Sequence, residues 1–384
     1  MYSYLEPLEV PSMSRYLLSN VLACVVVLLY LAGCATTTSS LNADTAGKAR
    51  RPACSTAIQQ PNIIVAVSPV RQTLQVGGTI PTLLGAGISA VQDSHYRERI
   101  LQALGGYDCS KVFDTRLREA LGPHVGGKLE HVEPFNTAAG FANERAAQEA
   151  RLEGLSRSGV DLVFDFDLSY GIYGPEGLLA TRLEGKVTEV TSGKVLWRNT
   201  VTTYTLDLYA DLRWRDPMKR MTPNLMSPRL SKAEDAINQW TVDGGAHLKQ
   251  CFEQSVNSTV AAALTDMGLE DSPEGHYVLG VQAFLDGDYE TAEAHLARAD
   301  ALAPNAPATL NALALTKARD GRLDEAVQIA TALAAAQQDY LPVQYNLAWW
   351  LAVDQKNPEA ARPYYDRAVA LGASPARRLE KAMR

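Results

Sequence analysis

Between Asp161 and Tyr204 apolar and polar positions alternate almost one for one. Leu162, Phe164, Phe166, Leu168, Tyr170 and Ile172 interleave with Asp165, Asp167 and Ser169. A period of two predicts a strand with one buried and one wet face. After Gly174-Pro175-Glu176-Gly177 the alternation resumes, with Thr181, Leu183 and Val187 inward and Arg182, Glu184 and Lys186 outward. Thr191-Ser192-Gly193 turns the chain once more, and Val195, Trp197 and Val201 are the inward positions of a third strand. Two hairpins in succession predict an antiparallel meander.

Upstream, ordered sequence is expected from Asn62, where Ile63 to Val67 reads as a buried strand. A glycine-rich loop spans Gly77 to Gly87. Helices are expected over 88–104 and 111–121, a short extended piece near His131 to Pro134, and a long helix over 143–156. Downstream of the meander, a helix over 232–267 carries Cys251 and is broken by Gly244-Gly245. This order predicts an α+β sandwich over residues 61–268, a central mixed sheet with the meander and helices packed on it. Leu206 to Leu230, rich in Arg, Met, Pro and aromatic residues and without a period, reads as an insertion. Two short motifs, the strand end Ser68-Pro69-Val70 and the hairpin Ser192-Gly193-Lys194-Val195-Leu196-Trp197-Arg198, resemble segments of certain envelope lipoproteins. These are the curli-secretion lipoprotein, the lipoprotein activators of penicillin-binding proteins and the N-terminal domain of the Tol–Pal propeller protein.

From Pro273 onward the pattern changes to a period of 34 residues. Leu279, Gly280, Gly287, Ala292, Leu296, Ala299 and Pro304 mark one unit. Leu313, Ala314, Gly321, Ala326 and Ala330 repeat it, with Leu333 in place of a small residue. Leu347, Ala348, Leu351, Ala361, Tyr365 and Ala368 repeat it again, with one extra residue near Asn357-Pro358. Small residues are needed where the two helices of a unit cross closely, and proline ends the second helix. The pattern resembles the tetratricopeptide repeat, with three repeats over 273–374 and a capping helix over 375–384, an all-α solenoid. The resemblance implies a concave face lined by Tyr277 and Val281, then Asn311 and Leu315, then Tyr345 and Trp349. Phe284 falls in the same position class. A groove of that kind suits a peptide or partner helix. The competing reading puts these residues in the core between repeats; it is favoured for Phe284 and Trp350 and stands level for Tyr345 and Trp349.

The N-terminus changes the setting. Met13-Ser14-Arg15, an apolar run from Val21 to Leu31 and Leu31-Ala32-Gly33-Cys34 have the layout of a secretory signal over residues 1–33. The run is shorter than the ~20 residues a spanning helix needs. Leu-Ala-Gly-Cys resembles the lipobox of bacterial lipoproteins, which implies cleavage before Cys34, acylation of its thiol and lipid anchoring in a membrane. Ala35 follows instead of the aspartate of inner-membrane retention, which points to the outer membrane, periplasmic side. Residues 34–60, rich in Thr, Ser, Ala and Gln, then read as a flexible tether.

A net charge of −7 over 384 residues gives no basic footprint for nucleic acid. Besides Cys34, the mature chain holds Cys54, Cys109 and Cys251. Cys54 falls in the tether, so a Cys109–Cys251 disulfide is the expected pairing in an oxidising compartment. No spacing suggests a metal site, and no cofactor is expected. Asp165 and Asp167 share a strand's wet face, which explains them more simply than paired catalytic acids. Gly85-Ala86-Gly87 lacks the rest of a phosphate loop. Cys109 with His124 or His131 has no motif of a nucleophile and base. The expectation is therefore a non-enzymatic envelope lipoprotein that recruits a protein partner through its groove. The alternative is an oligomeric structural or secretion-pore component, for which Leu206 to Leu230 is the sole candidate membrane hairpin and lacks two alternating runs.

Overall fold

A computed structural model describes residues 41, 43–58, 62–67, 93–135, 144–174, 176–212 and 233–384. The signal, Cys34, the Gly77–Gly87 loop and most of the 206–230 insertion lie outside the described residues. The elements run α1 (Ala43–Lys48), β1 (Pro52–Ile58), β2 (Ile64–Ala66), α2 (93–104), α3 (Cys109–Leu121), β3 (Glu130–His131), α4 (Glu144–Arg157), β4 (Leu162–Tyr173), β5 (Leu178–Glu189) and β6 (Val195–Tyr204). Helices follow: α5 (Ala233–Thr241), α6 (Ala246–Asp266), α7 (Pro273–Asp286), α8 (Tyr289–Leu302), α9 (Pro307–Arg319), α10 (Leu323–Ala336), α11 (Leu341–Trp349), α12 (Pro358–Ala370) and α13 (Arg377–Ala382).

The sheet is mixed, in the order β3-β1-β4-β5-β6, with β2 also on β4. The β4–β5–β6 meander is antiparallel, as the alternation predicts. β1 and β2 run parallel to β4 and lie end to end along its other edge, β1 against Leu162–Leu168 and β2 against Gly171–Tyr173. The inward residues of the meander meet Phe113 and Leu117 of α3 and Phe252 and Val256 of α6 in one core.

Two expectations are corrected here. Residues 52–58 are not tether but strand β1, held between β3 and β4 with Ala53 and Cys54 fully buried. The strand escapes a hydrophobicity reading because its residues are small and its hydroxyls are satisfied inside: Ser55 bonds Asp165 at 2.6 Å and Thr56 bonds Asp114 at 2.5 Å. The outer face of β4 is also not wet throughout. Val163 packs with Ala53, Val160 and Val190 under Leu152 and Leu155 of α4. Arg151 of α4 grips Asp165 at 2.6 and 3.0 Å. The carboxylate is thus a fastening for a helix.

The glycine pair breaks the long helix as expected. Gly244 and Gly245 have φ of 67° and 74°, and a Cβ on Gly245 would lie 2.7 Å from the Ala103 carbonyl oxygen. From Pro273 three helical hairpins follow, α7–α8, α9–α10 and α11–α12, with α8 against α9 and α10 against α11. Gly280 is small for the reason its period suggests: a Cβ there would sit 2.6 Å from Leu296 Cγ. The extra residue of the third unit is not absorbed at Asn357-Pro358. It widens the end of α11 into a π-helical turn, Trp350–Asp354, where the Gln355 N–H donates to the Trp350 carbonyl at 2.8 Å.

The hairpin array is joined to the sheet at its edge. β6 is an edge strand, and Gln282 of α7 serves its open side, accepting from Thr202 N at 3.1 Å and donating to Thr200 O at 3.0 Å. A side-chain amide here covers main-chain groups that would otherwise invite another strand. Asp266 accepts from Trp197 Nε1 at 2.7 Å and Asn199 Nδ2 at 2.8 Å, fixing α6 to the same edge.

Candidate functional site

After Tyr204 the chain leaves β6 and runs without regular structure along the inner helices of the array, as a strap over Leu206–Leu212. Leu208, Tyr209 and Leu212 are buried with Leu315, Tyr345 and Trp349 in one core. The polar contacts are directed at the strap's main chain. Asn311 and Asn346 both donate to the Leu208 carbonyl, at 3.0 and 3.2 Å. Asn346 accepts from Ala210 N at 2.6 Å and donates to Asn311 Oδ1 at 2.9 Å, so the two amides hold each other in register. Arg319 donates to the carbonyls of Ala210 and Leu212 at 3.1 and 2.9 Å. Two contacts read side chains: the Tyr209 and Tyr345 rings meet edge to face at 5.4 Å, and the Tyr345 hydroxyl donates to Asp211 Oδ2 at 3.0 Å. Burial, then Asp211 beside it, pushes the Tyr345 hydroxyl well above its ordinary range, so it stays a donor.

Of the expected groove residues, Asn311, Leu315, Tyr345 and Trp349 come together, but against the protein's own segment. Asn311, Leu315, Tyr345 and Trp349 are buried. Tyr277 packs against both the sheet core and the array core, and Val281 against the array core. Phe284 and Trp350 are buried in the array core, in line with the favoured reading of both. Asn346, Arg319 and Asp211 escaped the sequence reading. Asn346 carries a sequence signal nonetheless: it occupies the column that holds Ala312 and Val278 one and two periods earlier. A polar residue at a buried apolar position needs a partner, and here the partner is the strap.

Beside the strap lies a cavity of about 640 Å3 lined by Asp211 and Leu212 of the strap and by Leu315, Arg319, Trp349, Trp350, Asp354, Arg377 and Arg378. The Arg378 guanidinium lies 5.5 Å from the Trp349 ring centre. Burial raises the Asp354 carboxyl, opposed by Arg378 and Arg319.

The remaining candidates carry other roles. Cys54, Cys109 and Cys251 are all free thiols, so the expected Cys109–Cys251 disulfide is not formed. Cys109 opens α3 against the sheet core, while Cys251 lies half-buried beside His247 on α6. Burial pushes the Cys54 and Cys109 thiols up to about 12, the opposite of an activated nucleophile. His131 contacts Arg118 at the far end of α3 from Cys109. Asp167 is raised by burial and then by Glu184, which pairs with it across β5. Ser258 and Thr259 lie on α6, where Thr259 joins Thr181, Thr203 and Ser255 in a hydroxyl cluster. Among the described residues no group of His, Cys, Asp and Glu is placed to hold a metal, and no helix is long and apolar enough to cross a membrane.

Neither a family model nor a curated protein matches the chain. Among solved structures it is similar to a dodecamer of a PelC point variant from Paraburkholderia phytofirmans, at 10% sequence identity and a TM-score of 0.24, over 60% of this chain and 95% of that one. A likeness of that degree carries no functional argument.

Proposed function

We propose that this chain is an exported lipoprotein, acylated at Cys34 and lipid-anchored on the periplasmic side of the outer membrane. In this reading its helical array is a tetratricopeptide groove that holds extended protein segments and serves envelope assembly as a scaffold. The lipobox-like Leu31-Ala32-Gly33-Cys34 supports the anchor. One observation carries the scaffold: Asn311, Asn346 and Arg319 point buried polar groups at the main chain of an extended segment. Such an arrangement recognises a peptide as a peptide. The role in this reading is non-catalytic: Asp165 is tied to Arg151 of α4, and burial pushes the Cys54 and Cys109 thiols up to about 12.

Crosslinking in intact envelopes tests it. Wild type should capture one or more proteins that Trp349→Ala with Arg378→Ala loses, since these residues line the cavity beside the strap. Identical partner lists from the two proteins contradict the scaffold.

A further inference from the structure

The hairpins of the array reverse direction in one way, with a single departure. Between α7 and α8 the residue before the N-cap is Gly287, at φ 86°; between α9 and α10 it is Gly321, at φ 83°. In the third hairpin the same place, after the π-helical turn, falls to Lys356, at φ 57°, just before the N-cap Asn357. Positive φ suits glycine and burdens a residue with a Cβ. Among the described residues Asn305 is the other non-glycine residue with positive φ, and asparagine takes that backbone readily. Lysine does not. Where a local rule is broken and the fold gains nothing by it, the side chain is the place to look for a use.

That side chain lines a cavity of about 350 Å3 together with Arg378 and Lys381, which share one face of α13. Ala352, Val353, Pro358 and Ala382 complete the lining, so no carboxylate takes part in it. Lys356, Arg378 and Lys381 are exposed, and among the described residues they make no hydrogen bond or salt bridge. The surrounding acids do not cancel them. Asp354, which lines the cavity beside the strap, offsets part of the charge of Arg378. Glu359 and Glu380 adjoin the lining in sequence, but both are exposed and neither pairs with the three cations. Like charges gathered in this way repel one another until an anion joins them.

The anion must answer more than one charge. A carboxylate carries a single charge and would leave two cations unanswered. A phosphate monoester carries roughly −1.5 to −2 at neutral pH and offers three acceptor oxygens, one for each cation. We infer that this cavity is a site for a phosphate monoester group, with Lys356, Arg378 and Lys381 as its hydrogen-bond donors. The small apolar residues of the lining leave room for the organic group that bears the phosphate. A dissolved phosphate ester and a lipid headgroup present the same chemistry to the cations. The site is independent of the peptide-holding reading, because Lys356 and Lys381 do not line the cavity beside the strap.

The test is calorimetric titration of purified full-length protein with glycerol phosphate, with acetate, and with dibutyryl phosphatidic acid, a lipid short enough to stay dissolved. Glycerol phosphate should bind at least about tenfold more tightly than acetate, since one charge-assisted hydrogen bond is worth about that factor. Lys356→Gly should weaken binding of both phosphate compounds by about tenfold or more. The same variant should melt no lower than wild type, because glycine is at ease at that φ. Lys381→Gln should weaken binding in the same way, and Lys356→Arg should keep it. A lysine with a purely structural place gives a different result: binding unchanged in Lys356→Gly. That result overturns the site, as does acetate binding as tightly as glycerol phosphate, or no binding of either phosphate compound at concentrations on the order of mM. Where binding is lost in Lys356→Gly, the site stands and the two phosphate compounds identify the bearer. A lipid bound about tenfold more tightly than glycerol phosphate makes it a headgroup, and equal affinities make it a dissolved ester.

Discussion

At the residue scale, the cysteines show how far composition leads and where it stops. Residues 52–58, Pro-Ala-Cys-Ser-Thr-Ala-Ile, have the makeup of a linker, and nothing in their hydrophobicity announces a strand between two others. Their fit comes from smallness and from hydroxyls that find Asp165 and Asp114, partners more than fifty residues away. Once Cys54 is buried in β1, it can no longer be set aside as a tether thiol, and the reasoning that paired Cys109 with Cys251 by elimination fails. All three are free, two of them deep in the core with protonated thiols. A maleimide should therefore label Cys251 in the folded protein, and Cys54 and Cys109 only after unfolding. A linked Cys109–Cys251 peptide in an unreduced digest would contradict this. Among groove residues, Asn311 was legible from its column in the repeat. Asn346 was missed: its place in the column of Ala312 and Val278 marks it as a buried polar residue, but the segment it serves is distant in sequence.

At the element scale the legible parts are those with a clean period. The meander was readable because Leu162 to Ile172 alternate without interruption, and the hairpins because small residues recur every 34 positions. The π-helical turn at Trp350–Asp354 was not, since an extra residue can be taken up anywhere in the unit, and where it goes depends on what the third hairpin must bury. Ala292 is fully buried where α7 and α8 cross, near Gly280 and Leu296. Ala292→Leu should lower stability by about 1–3 kcal/mol through overpacking, with loss of helical signal from the first two hairpins ahead of the sheet, followed by hydrogen exchange. An unchanged melt would contradict the crossing.

The same hairpin carries a pH dependence. His295 of α8 meets His276 of α7, their Nδ1 atoms 2.9 Å apart, and the other His276 nitrogen meets Asp271, which Arg298 also pairs. Burial, then the neighbouring His276, lowers the His295 pKa from its ordinary 6.5, with Asp266 opposing. A base with a lowered folded-state pKa binds more protons when unfolded, so stability is complete above the unfolded value and declines as pH falls below about 6.5. The melting temperature should drop between pH 7.5 and 5.5 by more in wild type than in His295→Gln. Equal drops in both proteins would contradict this account.

At the scale of the whole molecule, an apparent insertion is the link between its two parts. Leu206 to Leu230 has no period because its first residues form neither helix nor strand; they take their shape from the groove that holds them. No local pattern could disclose this. The array is fastened at Gln282 to the β6 edge and again through the strap, so sheet and hairpins share one folded unit. The proposed lipid anchor makes a separate prediction: Cys34→Ser should leave unprocessed or soluble protein, checked by carbonate-washed membrane fractionation. Full retention in the membrane would contradict lipid anchoring at this residue. The central claim, that the groove's resident is Leu206–Leu212, is tested most directly by placing a photocrosslinking phenylalanine derivative at position 209 in purified full-length protein and mapping its adduct by mass spectrometry. The account predicts an intramolecular crosslink to the α11 peptide containing Tyr345 and Asn346. Adducts only to solvent, or to residues outside the groove, would contradict it.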